Sequence, residues 1–187
     1  MNQQGAVYEY PLAAGLSVSF QRYLYPAAAV LDALPTSLGA LPVCPAGPER
    51  ILLPSPAGEA FWIGFLPTPG ASADVGILAA TGSGGWLDAV GGQPAGTDRP
   101  QAWLAVPPAL RLPGITATGG GWLPFARQAP VPHAPSCTGL LLVLRQSREG
   151  GGRLHVALAD EDEFRSVCGV PLPPPDPGAA YGGWRLP

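Results

Sequence analysis

A serine in a glycine-rich stretch is the first candidate for nucleophilic chemistry. Ser83 stands in the stretch Thr81–Gly85, and a serine hydrolase needs such a nucleophile together with a base and an orienting acid. The sharp turn that presents a hydrolase serine requires glycine two residues before it, and Thr81 occupies that position. The dinucleotide-binding fingerprint also fails, because Leu87 stands in place of its third glycine. We therefore interpret this stretch as a hairpin turn.

Metal ligands are sparse, since the chain has only two histidines. His133 and Cys137 are four residues apart, but Pro132 and Pro135 prevent a helix from presenting them on one face. Two ligands are also fewer than zinc usually takes. His155 alternates with apolar neighbours and is expected to face outward from its strand. The sequence predicts no metal.

Carboxylates would have to supply any general acid or base. Asp74, Asp88 and Asp98 lie in or near loops, but no spacing pairs them. The sequence therefore predicts no catalytic residue and no cofactor.

Five tryptophans and two arginines remain as candidates for binding. An indole can stack on a sugar or another planar ligand, but the apolar neighbours of these five favour packing in a core. Arg22 lies on the apolar face of its strand, where it either reaches solvent from the strand end or anchors a carboxylate in a cleft. Arg127 is the expected polar neighbour of any ligand. The weak binding candidates are Arg22, Trp86, Trp122, Arg127 and Trp184.

Composition restricts the classes of partner. All 10 basic residues are arginine, which excludes a phosphate-binding or Schiff-base lysine, although genomic bias explains the absence equally well. A net charge of −3 argues against nucleic acid. The 26 glycines and 25 prolines would suggest disorder, but hydrophobic residues are 47% and charged residues 12% of the chain. A surface with so few charges favours contact with another protein. No apolar run is long enough to span a membrane.

The cysteines suggest a cellular location. Cys44, Cys137 and Cys168 are odd in number and lack metal-ligand spacing. We interpret them as free, mostly buried thiols in a reducing compartment. The segment Met1–Gln4 also lacks the basic and apolar character of a signal peptide. A cytoplasmic location is therefore expected.

A repeated pattern organises the middle of the chain. Residues 60–87 and 102–123 each contain an apolar run with a tryptophan, a Gly-Ile run and a Gly-Gly-Trp-Leu turn. Glycine supplies the positive φ that tight turns need, so each copy predicts a β-hairpin unit. Gly182–Trp184 repeats Gly-Gly-Trp near the end. We expect all the indoles to meet in one core.

Four further segments have clear patterns. Leu16–Leu24 alternates apolar and polar residues, which predicts a half-buried strand. Glu59–Leu66 is apolar on both faces, as in a central strand. Thr138–Gln146 and Arg153–Ala159 flank a glycine-rich turn and predict a hairpin. Residues 35–56 are dense in proline and are expected to form an extended covering loop.

One helix is predicted after the last strand. Asp160 is a natural N-cap, Glu163 completes a capping box, and Gly169 ends the helix. Phe164 and Val167 are expected to face inward. The acidic run at 160–163 complements the helix dipole and lacks the ligand spacing of a calcium loop.

Several short motifs occur together in a familiar order. The chain contains SFQR at Ser19–Arg22, LGALP at Leu38–Pro42, EAFWI at Glu59–Ile63, EFR at Glu163–Arg165, and a proline-rich end with Tyr181 and Gly183-Trp184. In this order they resemble a family of uncharacterised bacterial proteins. That family has no assigned activity, so the resemblance implies no catalytic residue. Its members carry a longer polar segment in the region between Arg127 and Leu140.

These features predict a mainly β, single-domain fold over residues 1–187. We expect a β-sandwich or partly open barrel with an internal repeat, one short C-terminal helix, and an extended tail at 171–187 held by Tyr181 and Trp184. The leading functional hypothesis is a non-enzymatic protein-binding or assembly module. A small-molecule or carbohydrate-binding β-module with exposed tryptophans is the alternative, and a carboxylate-based enzyme is the second alternative.

Overall fold

A computed structural model describes residues 7–132, 134–145 and 151–177. Within these residues the chain forms strands and one helix, in the following order. The elements are β1 (Tyr10–Ala13), β2 (Leu16–Leu24), β3 (Cys44–Gly47), β4 (Arg50–Pro54), β5 (Glu59–Pro67), β6 (Ala73–Thr81), β7 (Trp86–Asp88), β8 (Pro94–Ala95), β9 (Leu104–Val106), β10 (Arg111–Leu112), β11 (Ile115–Thr116), β12 (Trp122–Leu123), β13 (Cys137–Arg145), β14 (Arg153–Ala159) and α1 (Glu161–Cys168).

The strands form two main sheets and a separate small hairpin. The smaller sheet has the order β1-β2-β5-β10, and the larger sheet has the order β3-β4-β14-β13-β6-β7-β8. β9 pairs with β6 beyond the end of β7. β4 and β14 are parallel, and the other pairs are antiparallel. β11 and β12 form a two-stranded hairpin, and an isolated bridge joins Trp122 of β12 to Leu31.

The two sheets bury their inner faces against each other, as a β-sandwich does. Phe20 and Ile63 from the smaller sheet belong to the same buried cluster as Ile77, Leu142 and Val156 from the larger sheet. Inward residues recur at every second position, because successive side chains of a strand point to opposite faces. The predicted mainly β, sandwich-like domain is confirmed.

The polar face of β2 is buried, so the expectation of a half-buried strand is wrong. Ser19 and Gln21 are both fully buried. The backbone N–H of Leu41 donates to the carbonyl of Phe20 at 2.7 Å, which brings a covering segment against β2. Ser37 Oγ then donates to Gln21 Oε1 at 2.8 Å, and Gln21 Nε2 donates to Ser19 Oγ at 3.1 Å. These hydrogen bonds satisfy polar groups that burial would otherwise penalise.

Residues 35–56 form a covering loop only in their first half, since residues 44–54 include β3 and β4. β4 pairs in parallel with β14, and its residues Ile51–Pro54 are buried. A short continuous apolar run is typical of a strand buried on both faces. The neighbouring prolines concealed that signal in the sequence.

The N-cap Asp160 and the C-cap Gly169 predicted for α1 are confirmed, whereas the second bond of a capping box, from the Glu163 side chain, stays a prediction. Asp160 accepts a hydrogen bond from the backbone N–H of Glu163 at 2.9 Å, and Gly169 ends the helix with φ 72°. Phe164 is buried as expected, whereas Val167 is 59% exposed. Cys168 is the second buried residue, because it lies four residues after Phe164 on the same helix face. The helix is eight residues long, well short of the roughly 20 residues that cross a bilayer.

A disulfide joins Cys44 in β3 to Cys168 in α1. The expectation of three free thiols is therefore wrong for these two, and correct for Cys137, which is free and buried. The partners are 124 residues apart, so no local spacing signalled the bond. α1 packs against β4 and β14 through Phe164, beside Leu52 and Ala159, and this packing brings the two sulfur atoms together.

The hairpin of β13 and β14 is confirmed, with Val143 opposite Arg153 at its end. Its turn residues 146–150 lie outside the described residues. The tail is described from Pro171 to Pro177 and forms neither helix nor strand there. Tyr181 and Trp184, expected to hold it, also lie outside the described residues.

Candidate functional site

The two Gly-Gly-Trp-Leu turns both lie within antiparallel hairpins. In the first copy β6 pairs with β7, and Trp86 lies opposite Ala80. In the second copy β11 pairs with β12, and Trp122 lies opposite Thr116. The tryptophan-bearing runs that precede them differ, because Trp62 lies in the smaller sheet and Trp103 directly precedes β9 of the larger one.

The expectation that the indoles meet in one core is wrong for the four described tryptophans. Trp62 and Trp122 pack in one cluster with Tyr23, Leu31 and Ala126 on the outer face of the smaller sheet. Trp103 lies beneath the guanidinium of Arg145, 4.3 Å from its ring centroid. Trp86 lies in a surface groove. Strand parity explains the separation, since a tryptophan on an outward-facing position cannot reach the core between the sheets.

Arg22 neither reaches solvent nor offers its charge to a ligand. Its side chain is 4% exposed, and it binds both carboxylate oxygens of Glu59, with Nε–Oε2 2.7 Å and Nη2–Oε1 2.6 Å. Nη1 also donates to the carbonyl of Pro173 at 2.7 Å. Arg22 therefore anchors a carboxylate of its own chain and fixes the start of the tail.

Arg127 lies away from the groove. Its Nη1 is 3.5 Å from Oδ2 of Asp160, the residue that caps α1, and its backbone N–H donates to Ser55 Oγ. Arg127 is not among the described residues that line the depressions around Trp86, and its role as the polar neighbour of a ligand stays a prediction. Trp184, the remaining candidate, lies outside the described residues.

The three carboxylates predicted to lie in or near loops are each held by the chain itself, and two of them, Asp74 and Asp88, lie in β6 and β7. Asp88 is fully buried and accepts four backbone N–H groups, from Val90, Gly91, Gln101 and Ala102, at 2.6–3.0 Å. It ties the two ends of the loop between β7 and β9. Asp74 binds Arg145 and Asp98 binds Arg153. Among the described residues, no three His, Cys, Asp or Glu side chains come close enough to hold a metal ion.

Burial raises the pKa of two tyrosine hydroxyls and one thiol. It raises the pKa of Tyr23 above its usual range, with the charge of Tyr25 as a smaller cause, and raises the pKa of Cys137 to about 11. Burial raises the pKa of Tyr25 as well, with a smaller contribution from Cys137. A thiol must ionise to act as a nucleophile, so Cys137 is inert at neutral pH.

Trp86 stands where two surface depressions meet. The first, with a volume of about 600 Å³, lies between the turn Thr81–Gly85, Pro94 and the segment Ala134–Ser136. The second, of about 290 Å³, runs from Trp86 over β13 and β14 to Arg50. We call the two depressions together the Trp86 groove. Its turn is fixed by Thr81 Oγ1, which contacts Ser83 Oγ at 2.9 Å and accepts from the N–H of Gly85 at 3.1 Å.

The floor of the Trp86 groove is a row of very small residues across the larger sheet. Ala157 lies opposite Gly139, Gly139 opposite Ala80, and Ala80 opposite Trp86. A Cβ atom added at Gly139 would lie 2.7 Å from the carbonyl oxygen of Val156, which is too close, so this position of the floor requires glycine. The low floor leaves one side of the half-buried indole open to a ligand.

Arg50 and His155 form the opposite end of the groove, and both are exposed. They lie opposite each other on the parallel strands β4 and β14. Arg50 forms no ion pair with a described residue. The outward direction of His155 was predicted from alternation, whereas Arg50 was missed because it lies in the segment interpreted as a loop.

The chain was compared with protein-family models, with curated proteins and with solved structures, and nothing matches it. The resemblance to an uncharacterised bacterial family therefore stays a prediction.

Proposed function

We propose that this chain is a non-enzymatic module that binds another protein through the Trp86 groove. One observation carries the proposal: a half-buried indole stands beside a floor of alanine and glycine where two depressions meet. Tryptophan is enriched among the residues that dominate protein–protein binding energy. Such a residue needs a cleft in which the partner can cover it and exclude water.

The other candidate groups already have partners within the chain, which supports a binding role over catalysis. The carboxylates of Asp74, Asp88 and Asp98 are committed to arginines or backbone N–H groups. Ser83 Oγ contacts Thr81 Oγ1 inside a hairpin turn. A serine nucleophile needs a neighbouring base to activate it, and the described residues lining the groove offer only His155, at the far end.

The chemistry of the lining favours a protein over a carbohydrate. Its described residues include neither Asp, Glu, Asn nor Gln. Carboxylate and amide side chains suit sugars because their oxygen atoms can accept hydrogen bonds from two neighbouring hydroxyl groups. A single described indole also gives less stacking surface than the two accessible tryptophans that a carbohydrate module was expected to use.

Peptide display tests the proposal with defined variants. A library of random 12-residue peptides is selected on the wild-type chain, and selected peptides are measured against Trp86→Ala, Trp86→Phe and Leu24→Ala by fluorescence anisotropy. Leu24 is the matched control, because it is 67% exposed and apolar but lies on the smaller sheet. We expect Trp86→Ala to weaken binding about tenfold or more, as for an interface hot spot. Trp86→Phe should retain part of the affinity, and Leu24→Ala should leave it unchanged.

The same variants define the results that would reject the proposal. Peptides that bind Trp86→Ala as well as the wild type would show that the groove is not the docking surface. A glycan array that yields Trp86-dependent ligands, where the peptide library yields none, would replace the protein partner with a carbohydrate.

A further inference from the structure

We infer that the partner presents an extended acidic segment, with a carboxylate on Arg50 and His155 and a ring on Trp86. This inference rests on the proposed function and adds the chemistry of the partner. Two observations carry it, the charge of the lining and the spacing of its two ends.

The charge of the Trp86 groove is opposite in sign to that of the whole chain. The chain has 13 acidic and 10 basic residues and a net charge of −3. Yet the described residues lining the groove contain no carboxylate, and Arg50 is the one permanently charged residue among them. A guanidinium presents a planar fork of donors that matches a carboxylate. The groove therefore favours an anionic ligand over a cationic one.

Nearby acidic groups do not occupy Arg50. Glu49 precedes it in the turn between β3 and β4, and the Glu49 carboxylate forms no ion pair with Arg50. Asp98 is taken by Arg153, the outward-facing residue two positions before His155. Since Arg50 forms no ion pair with a described residue, its charge is available to a partner.

The strand order sets the distance between the two ends. His155 lies on β14 and Trp86 on β7, with β13 and β6 between them. Three strand spacings amount to about 14 Å, and His155 stands two residues from Ala157, the residue in line with Trp86, so the two ends are about 16 Å apart. An extended chain advances about 3.3 Å per residue, so a carboxylate and a ring four residues apart span about 13 Å on one side of the segment, and the length of their side chains covers the rest. The ladder hydrogen bonds of these strands occupy the backbone of the floor, so side chains make the contacts.

Synthetic peptides test the spacing and the charge separately. Peptides of equal length carry one glutamate and one tryptophan separated by no, three or seven serines, and a second set replaces glutamate with lysine. Their affinities are measured by fluorescence anisotropy with wild type, Trp86→Ala, Arg50→Glu and Arg99→Glu. Arg99 is the matched control, because it is exposed, forms no ion pair with a described residue and does not line the groove.

We expect the glutamate peptide with three serines to bind most tightly. Arg50→Glu should weaken it about five- to tenfold, as expected for loss of a partly exposed charge pair and its replacement by repulsion. Arg99→Glu should have little effect. The lysine peptide should bind Arg50→Glu more tightly than it binds the wild type.

The outcomes separate this inference from the proposed function. Binding that requires Trp86 but ignores Arg50→Glu and the peptide charge would overturn the acidic segment and leave the protein-binding module intact. Binding that ignores both Trp86 and Arg50 would overturn both. Tighter, Arg50-dependent binding of an oligogalacturonate than of any peptide would identify an acidic carbohydrate instead and overturn the inference.

Discussion

The two outer faces of the sandwich are treated in opposite ways. On the outer face of the smaller sheet, Trp62 and Tyr23 are buried in a cluster with Trp122 of the β11–β12 hairpin. An ion pair between Arg22 and Glu59 lies near the ends of its central strands β2 and β5. The larger sheet is covered by α1 at one side and by the loop that Asp88 holds at the other. Between these covers lies the Trp86 groove. Both outer faces carry arginine and tryptophan, and our proposal assigns the partner to the face of the larger sheet.

This difference shows that one local motif can lie in different surroundings and adopt different backbone conformations. Gly85 and Gly121 hold the same position in the two Gly-Gly-Trp-Leu segments, but only Gly121 has a positive φ, 76°. A side chain on Gly121 would meet the carbonyl oxygen of Leu31 and the side chain of Val30 in the covering segment, whereas Gly85 has space. The segment that contains Val30 and Leu31 therefore covers the second Gly-Gly-Trp-Leu hairpin, whereas Gly85 of the first hairpin is left exposed.

Substitution of the arginines should give the largest difference in the free energy of unfolding between the two faces. Arg22→Met leaves the carboxylate of Glu59 with its charge uncompensated in a nearly buried site, so we expect a loss of about 3–5 kcal/mol in the free energy of unfolding. Arg50→Met removes an exposed side chain and should change it by less than about 0.5 kcal/mol. Urea denaturation followed by tryptophan fluorescence measures both. Equal losses would mean that the two faces do not differ as described.

Trp86 and Trp122, the tryptophans of the two Gly-Gly-Trp-Leu segments, should differ by less in their contribution to the free energy of unfolding. Trp122→Ala opens space in a packed cluster and should cost about 3 kcal/mol, the lower end of the range for a buried tryptophan, because Trp122 is only half-buried. Trp86→Ala should cost about 1 kcal/mol, since the groove already exposes one side of the ring. Thermal unfolding followed by circular dichroism compares them. A larger loss for Trp86 would assign it a structural role and weaken the proposed function.

The last prediction concerns alkaline pH and the core between the two sheets, where Cys137 lies. Burial raises the pKa of Cys137 from 9.0 to about 11, so between these values the unfolded chain loses a proton that the folded chain keeps. The free energy of unfolding should therefore be constant below about pH 9 and fall by about 2 kcal/mol by about pH 11. Comparing the pH dependence of wild type and Cys137→Ala removes the contribution of tyrosines such as Tyr23. An unchanged slope in Cys137→Ala would contradict the assignment.

Features encoded in neighbouring residues could be predicted from the sequence. The alternation of Leu16–Leu24, the glycine-rich turn before Arg153, and the caps Asp160 and Gly169 each act over a few residues, and the structure contains the corresponding strand, hairpin and helix. The mainly β class follows from them, because such segments need a second layer to bury their apolar faces.

Features that depend on distant residues could not be predicted in this way. Arg22 and Glu59 are 37 positions apart, and Cys44 and Cys168 are 124 apart. The candidate site is also assembled from six strands, and its floor of Ala80, Gly139 and Ala157 has no signature because small residues occur throughout the chain. Trp86 was named as a candidate, whereas its neighbours could be found only from the register of the sheet.

The cellular location stays a prediction, and the disulfide removes one of its two premises. Free thiols indicated a reducing compartment, but Cys44 and Cys168 are paired. Disulfides persist mainly in oxidising environments, so this bond does not support a cytoplasmic location.

The Cys44–Cys168 bond has a further consequence, because it closes the chain between these residues into a covalent ring. A protease that cuts once inside the ring, for example in the loop after Asp88, releases no fragment. The nicked molecule keeps its full mass on a denaturing gel without reductant and separates into two pieces only after reduction. Digestion patterns of this protein therefore have to be read under both conditions.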